Sequence, residues 1–196
     1  MALFEPLSPG PVTAGGERLV QHDGRTCGPS VVVAARAHLD PAFAATLEEP
    51  GVFARAQDTV HRAANRIWPR ALGTTPWGVA ATLNVHSGVR YRVTRDLARA
   101  RQAAAAGWPV PVLVGARIPR HYVLLLGSDD QGRMLAYNPG RGRVVAADPD
   151  DLRPFGFPRF FAAVVPDTQR TGGGEAGQRS LRPPERGQRP GQEPGE

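Results

Sequence analysis

The pattern of apolar residues changes once along this chain, at Gly107, and that change restricts the fold more than any other feature. Before it, apolar positions come in stretches long enough for helices. The stretch 26–39 opens with Gly28 and Pro29 and runs through Val31, Val32, Val33, Ala34 and Ala35, which predicts a buried helix with Pro29 in its first turn. Further helices are expected over 53–67, over 75–84 with Thr74 or Thr75 as cap and Pro76 just inside, and over 94–106 with Thr94 as cap and Gly107 as terminator. After Gly107 the apolar runs shorten to 110–115, 122–127, 134–137, 143–146 and 159–165, punctuated by Gly, Asp, Asn and Pro in the manner of strands and hairpins. Helices followed by strands predict an α+β fold, with N-terminal helices packed on a C-terminal antiparallel sheet.

The ends of the chain are of different composition. Residues 168–196 contain one large apolar side chain, Leu181, among Gly, Pro, Arg and Glu, too little to offset the entropy of ordering them, so a disordered tail is expected there. Residues 1–14, with Pro6, Pro9 and Pro11, read as an irregular lead-in, which leaves 15–167 as the single domain. All 24 basic side chains are arginine, a bias that accompanies the Ala, Gly and Pro content of a GC-rich, bacterial-type coding sequence. The formal charge of +6 is scattered, with no basic run and no interleaved aromatic platform, so no nucleic-acid partner is expected. No apolar stretch has membrane-spanning length and no secretory h-region precedes residue 21, so the expectation is a cytoplasmic protein without a membrane partner, export without a cleaved signal being compatible with it.

A single cysteine, Cys27, excludes an internal disulfide and leaves a free thiol at the start of the first predicted helix. A cysteine nucleophile needs a base to take its proton, a third group to hold that base, and donors for the oxyanion formed on the attacked carbonyl. Candidates for each part are present. The positive end of a helix favours thiolate at Cys27. Gln21, six residues upstream, is near enough for its side-chain amide to join the Cys27 backbone N–H as an oxyanion donor. His121 opens a strand, and the turn at 128–132 returns the chain so that Asn138, on the next strand, reaches the neighbourhood of His121. Each residue also has a plainer reading: a buried small hydrophobe for Cys27, a satisfied strand-end histidine for His121, a turn residue for Asn138. The other histidines, His22, His38, His61 and His86, lack metal-ligand spacing, and neither a metal nor another cofactor is expected.

The order of Gln21, Cys27 at a helix start, His121 at a strand start and Asn138 on the following strand resembles the papain-like superfamily of cysteine peptidases. Within it, Cys27-Gly28-Pro29, Gly107-Trp108-Pro109-Val110, His121-Tyr122-Val123-Leu124 and Asn138-Pro139, in that order, are most similar to the double-glycine peptidases that trim bacteriocin leaders and to their stand-alone relatives. That resemblance implies a papain-like fold and a peptide or protein substrate. It assigns Cys27 as nucleophile, His121 as base, Asn138 as the group orienting it and Gln21 as oxyanion donor. The chain departs from those peptidases in carrying Asn138 where they more often have Asp. The same thiol chemistry serves hydrolysis of peptide or isopeptide bonds and, as in transglutaminase-like relatives, transfer of the acyl group to an amine. From a different class, a papain-like binding module without activity would use the arginine-rich surface instead, including Arg117, Arg120, Arg133, Arg141 and Arg143 near the proposed site.

Overall fold

The computed structural model describes residues 3, 4, 7–65, 69 and 73–167. The 168–196 segment lies outside the described residues. Among the described residues five α-helices precede or interrupt the strands: α1 (Cys27–Leu39), α2 (Pro41–Thr46), α3 (Val52–Ala64), α4 (Pro76–His86) and α5 (Leu97–Ala105). The strands are β1 (Gly10–Pro11), β2 (Thr13–Ala14), β3 (Glu17–Arg18), β4 (Tyr91–Thr94), β5 (Val110–Gly115), β6 (Pro119–Ser128), β7 (Met134–Asn138), β8 (Arg143–Ala147) and β9 (Arg159–Pro166). Seven of them form one sheet in the order β1-β8-β7-β6-β5-β9-β4, with every pairing antiparallel, and β2 and β3 form a separate short ribbon. This is the α+β arrangement the sequence predicts.

The sheet is covered on both faces, which explains why its central strands are apolar at nearly every position rather than alternating. Tyr122, Leu124 and Leu126 of β6 join Val31, Val32 and Val33 of α1 and Val79 and Leu83 of α4 in one core. Val123 and Leu125, of the opposite parity, join Ala100 and Ala104 of α5 and Phe155 in a second core. Helix α1 is buried along almost its whole length. That burial, rather than intrinsic propensity, holds its run of three valines in a helix. Its first turn approaches the segment before α4 so closely that a Cβ on Gly28 would meet Thr74 Cβ at 2.9 Å, while Tyr122 Cδ2 of β6 would lie at an ordinary contact distance of 3.5 Å. A side chain there would push the helix start away from Thr74.

The differences from the sequence reading have local causes. Thr94 does not cap a helix: Tyr91-Arg92-Val93-Thr94 pairs with β9, and Asp96 accepts from Arg99 N to start α5. The helix expected over 94–106 is therefore shorter. An aromatic and β-branched segment fits a pleated edge, and Asp96 is the better cap in any case. The lead-in is less irregular than expected, since Gly10 and Pro11 pair with Val144 and Arg143, at the sheet edge where a residue without an N–H is tolerated. Phe4 and Val12 are buried in the α1 core. Helix α2 was not anticipated; Asp40 ends α1 and its carboxylate accepts from the N–H groups of Ala42 and Phe43, with Pro41 as first helical residue. Of the described residues, α3 ends at Ala64 rather than at 67. The termination at Gly107 is as expected, with φ of 85° and Trp108 N donating to Ala103 O.

Candidate active site

Strand β6 opens two residues earlier than predicted and lies in the middle of the sheet, with β5 on one side and β7 on the other. Its pairing with β5 slips between Val114 and Gly115, so that Val114 opposes His121 while Gly115 opposes Pro119. Arg120 is the extra residue of this bulge, a device that re-aims side chains at the end of a strand. The antiparallel return through β7 delivers Asn138 to His121: the ring Nε2 is 2.9 Å from Asn138 Oδ1.

The Asn138 amide is held from both ends, and this fixes the tautomer of the neutral histidine. Asn138 Nδ2 donates to Phe155 O at 3.2 Å, and its Oδ1 accepts from Gly140 N at 3.0 Å. The oxygen therefore faces His121, which must donate through Nε2–H. The proton on Nε2 leaves Nδ1 with a free lone pair, the form a general base requires. Asn138 is 3% exposed, and the Phe155 carbonyl needs a donor from it. An ionised Asp offers none, which accounts physically for an amide where the resembling peptidases more often carry an acid. The Phe157 ring lies 6.2 Å from the His121 ring, and burial holds the His121 pKa below its ordinary value despite the bond to Asn138.

Gln21 is brought to the same place. Its backbone N–H donates to Pro139 O at 2.9 Å, tying the segment before α1 to the turn after β7. A Cβ built on Gly140 would lie 3.4 Å from His121 Cε1, 3.4 Å from Asn138 Oδ1 and 3.6 Å from Gln21 Oε1, so the three side chains converge around a glycine that leaves the space between them open. The Gln21 amide is turned differently from the expectation. Nε2 donates to Asp23 O at 2.6 Å, while Oε1 is buried without a hydrogen-bond partner. The second hydrogen on Nε2 is the one left to meet an oxyanion.

Cys27 occupies the first position of α1, as predicted, but its environment opposes the thiolate that the helix terminus favours. The side chain is 8% exposed, and burial pushes the thiol pKa up. The N–H groups of Tyr122 and Gly28 act in the opposite sense without overcoming it. No hydrogen bond joins Cys27 Sγ to the His121 ring. The structure thus brings Gln21, His121 and Asn138 together directly. Cys27 it places against the backbone of Tyr122, the neighbour of His121. Catalytic hydrogen bonds are often long before substrate binds.

Both shifts favour the neutral thiol and the neutral imidazole over an ion pair. Alkylation of native Cys27 by iodoacetamide should accordingly be slow at pH 6 and rise about tenfold per pH unit through and beyond the ordinary thiol range. A rate that stays flat down to acidic pH would mean a preformed thiolate–imidazolium pair and would overturn the dominance of burial at this site.

One residue of the site gave no chemical signal in sequence. Gln57 on α3 is fully buried; its Oε1 accepts from Ser30 Oγ at 2.8 Å and from His22 N at 3.3 Å, and its Nε2 donates to Val20 O at 3.1 Å. It clamps the Gln21 segment onto α1. The available clue was its position, four residues after Phe53 and three before Val60 on the apolar stripe of α3, where an amide must find partners. Of the nearby arginines, Arg133 pairs with Asp129 at 2.7 Å, and Arg141 lowers the His121 pKa through its charge. Among the described residues no group of three or more His, Cys, Asp or Glu side chains is arranged to hold a metal ion, and no helix is long and apolar enough to cross a membrane.

No protein-family model matches the chain, and no curated protein matches it. Among solved structures it is similar to the peptidase domain of Streptococcus ComA, a bifunctional ABC transporter involved in quorum sensing. The TM-score is 0.49 at 17% sequence identity, covering 76% of this chain and 96% of that one.

Proposed function

We propose that the chain is a cysteine-dependent hydrolase of peptide or isopeptide bonds, with Cys27 as nucleophile, His121 as base, Asn138 as the group that orients the base, and Gln21 with the Cys27 backbone N–H as oxyanion donors. The observation that carries this reading is the fixed tautomer of His121: Nε2–H is committed to Asn138 Oδ1, and an unprotonated Nδ1 remains on the residue next to the one whose N–H acts on the Cys27 thiol.

In the reaction, Cys27 Sγ attacks the carbonyl carbon as its proton passes to His121 Nδ1. The carbonyl electron pair moves onto oxygen, where the Cys27 N–H and Gln21 Nε2–H stabilise it. Collapse of this intermediate breaks the C–N bond, the proton on Nδ1 passes to the leaving amine, and a thioester stays on Cys27. Water then gives a proton to Nδ1 and its oxygen to the acyl carbon, releasing a carboxylic acid and restoring the thiol.

The test is to mix the protein with a peptide library, quench in acid and measure intact mass. A thioester adduct confined to Cys27 and cleaved by hydroxylamine is expected. Repeating the incubation with an added primary amine separates the two fates of the thioester: a carboxylic-acid product means hydrolysis, an amide product means transfer. Absence of any Cys27 adduct and of any product would overturn the reading.

A further inference from the structure

A cavity of about 270 Å³ opens directly against Cys27. Leu113, Tyr122 and Cys27 line it from the sheet and α1. Thr74, Thr75, Pro76 and Trp77 come from the start of α4, and Pro119 and Arg120 from the bulge of β6. Its surface is mostly apolar. Trp77, 71% exposed, lines it together with Pro119 and adds apolar area to that surface. A lone exposed tryptophan needs no explanation, but one that completes the wall of a cavity beside a nucleophile adds apolar area where a substrate side chain can be desolvated.

Among the described residues Arg120 is the one charged residue lining the cavity, and no carboxylate among them lies within ion-pair distance of it. The other arginines whose pairs are known, such as Arg133 and Arg153, sit on their own acids. The first turns of both helices that border the cavity, α1 and α4, contain no acidic residue, so their positive ends add to the same sign of potential. A mostly apolar cavity whose described lining carries an unpaired arginine is complementary to an apolar side chain beside a carboxylate. A glycine in its place would leave the cavity empty.

We propose, on the basis of the hydrolase reading above, that the cavity receives the side chain of the residue whose carbonyl is attacked, that this side chain is large and apolar, and that Arg120 pairs with a carboxylate on the preceding substrate residue. The substrate class is thus an acidic–apolar peptide. Contacts with Trp77 and Leu113 supply the discrimination against small side chains, because a site shaped for an apolar group loses that burial when the group is missing. Arg120 is exposed, so its contribution is the smaller of the two.

The experiment uses peptidyl vinyl sulfones, in which Cys27 Sγ adds to the vinyl carbon bonded to the Cα of the last residue and the vinyl carbon bearing the sulfone takes up a proton. Acetyl-Glu-Leu, acetyl-Lys-Leu, acetyl-Glu-Gly and acetyl-Gly-Gly probes are compared by the rate of labelling of the full chain, read by intact mass. Acetyl-Glu-Leu should label at least about tenfold faster than either glycine probe and about threefold faster than acetyl-Lys-Leu. Trp77→Ala should bring leucine and glycine to within about threefold of each other, and Arg120→Glu should reverse the order of the Glu and Lys probes. Iodoacetamide rates measured alongside show that the thiol itself is unchanged in each variant. Equal or faster labelling by acetyl-Gly-Gly, or a Glu/Lys order unaffected by Arg120→Glu, would overturn the assignment. Hydrolysis is scored separately: selective labelling without turnover removes the hydrolase reading and keeps the cavity assignment, whereas turnover with a glycine preference does the reverse.

Discussion

Replacing Cys27 by alanine should lower kcat/KM for peptide hydrolysis by about 10⁴-fold or more, a loss of about 5 kcal/mol of transition-state stabilisation. The thermal midpoint should stay within a few degrees of the parent. The two readouts separate the plain reading of this residue from the chemical one. As a small buried hydrophobe on the first turn of α1, Cys27 contributes one sulfur atom to a core already filled by Val31, Tyr122 and Leu124, and alanine replaces it at a cost of order 1 kcal/mol. As a nucleophile it has no substitute. His121→Ala should cost a similar factor, and the double variant little more than either single one, because the proton removed from Sγ is the proton His121 accepts and neither residue acts without the other. The pH profile supplies a further check. The lowered His121 pKa keeps Nδ1 unprotonated to below the ordinary histidine range, and the raised Cys27 pKa keeps Sγ protonated into the alkaline range. Activity should therefore show a broad plateau across neutral pH, falling on the acid side as His121 takes up a proton. Loss of stability rather than activity in Cys27→Ala, or near-additive single variants, would return both residues to structural roles.

The parts of this architecture visible in sequence were those that a local pattern determines. The apolar run after Gly28 marks α1, the switch at Gly107 marks the change from helix to sheet, and the hairpin between β6 and β7 places Asn138 beside His121 because an antiparallel turn allows little else. What pattern alone did not reveal depends on contacts across the chain. Tyr91 to Thr94 is a strand because β9, some seventy residues later, offers it an edge. Pro11 becomes part of the sheet because β8 begins beside it. The raised pKa of Cys27 belongs to the packing of α1 against Tyr122 and outweighs the helix terminus that sequence does show. Gln57 reads as one polar residue on an amphipathic helix until Ser30, His22 and Val20 arrive around it. The residues proposed to carry chemistry could be named from their order, whereas the residues that hold them in place could not, since a brace is defined by its partners.

Asn138 is where that distinction can be measured, because it is proposed as both. Its Oδ1 holds the His121 ring and its Nδ2 satisfies the Phe155 carbonyl, so substitution should reveal each function in a different observable. Asn138→Ala removes the anchor for Nε2–H and leaves Phe155 O and Gly140 N without their partner. A loss of about 10²-fold or more in kcat/KM is expected from the freed ring, with a stability cost of about 1–3 kcal/mol from the unpaired groups. Asn138→Asp keeps the acceptor toward His121 and Gly140 but presents a second oxygen to the Phe155 carbonyl, where a donor is needed. Burial and that repulsion raise the carboxyl pKa in the folded state above its unfolded value. A group with a raised folded pKa costs nothing below the unfolded pKa and progressively destabilises as pH rises above it, so the deficit of this variant relative to the parent should be small near pH 4 and larger at pH 7. Where the carboxyl ionises, its charge favours imidazolium, and the acid limb of kcat/KM should move to higher pH by about one unit or more. Unfolding midpoints and rate profiles measured across the same pH series test both statements at once. An acid limb that does not move in Asn138→Asp, together with activity within about threefold of the parent in Asn138→Ala, would show that the amide supports the sheet end and has no hold on the reacting ring.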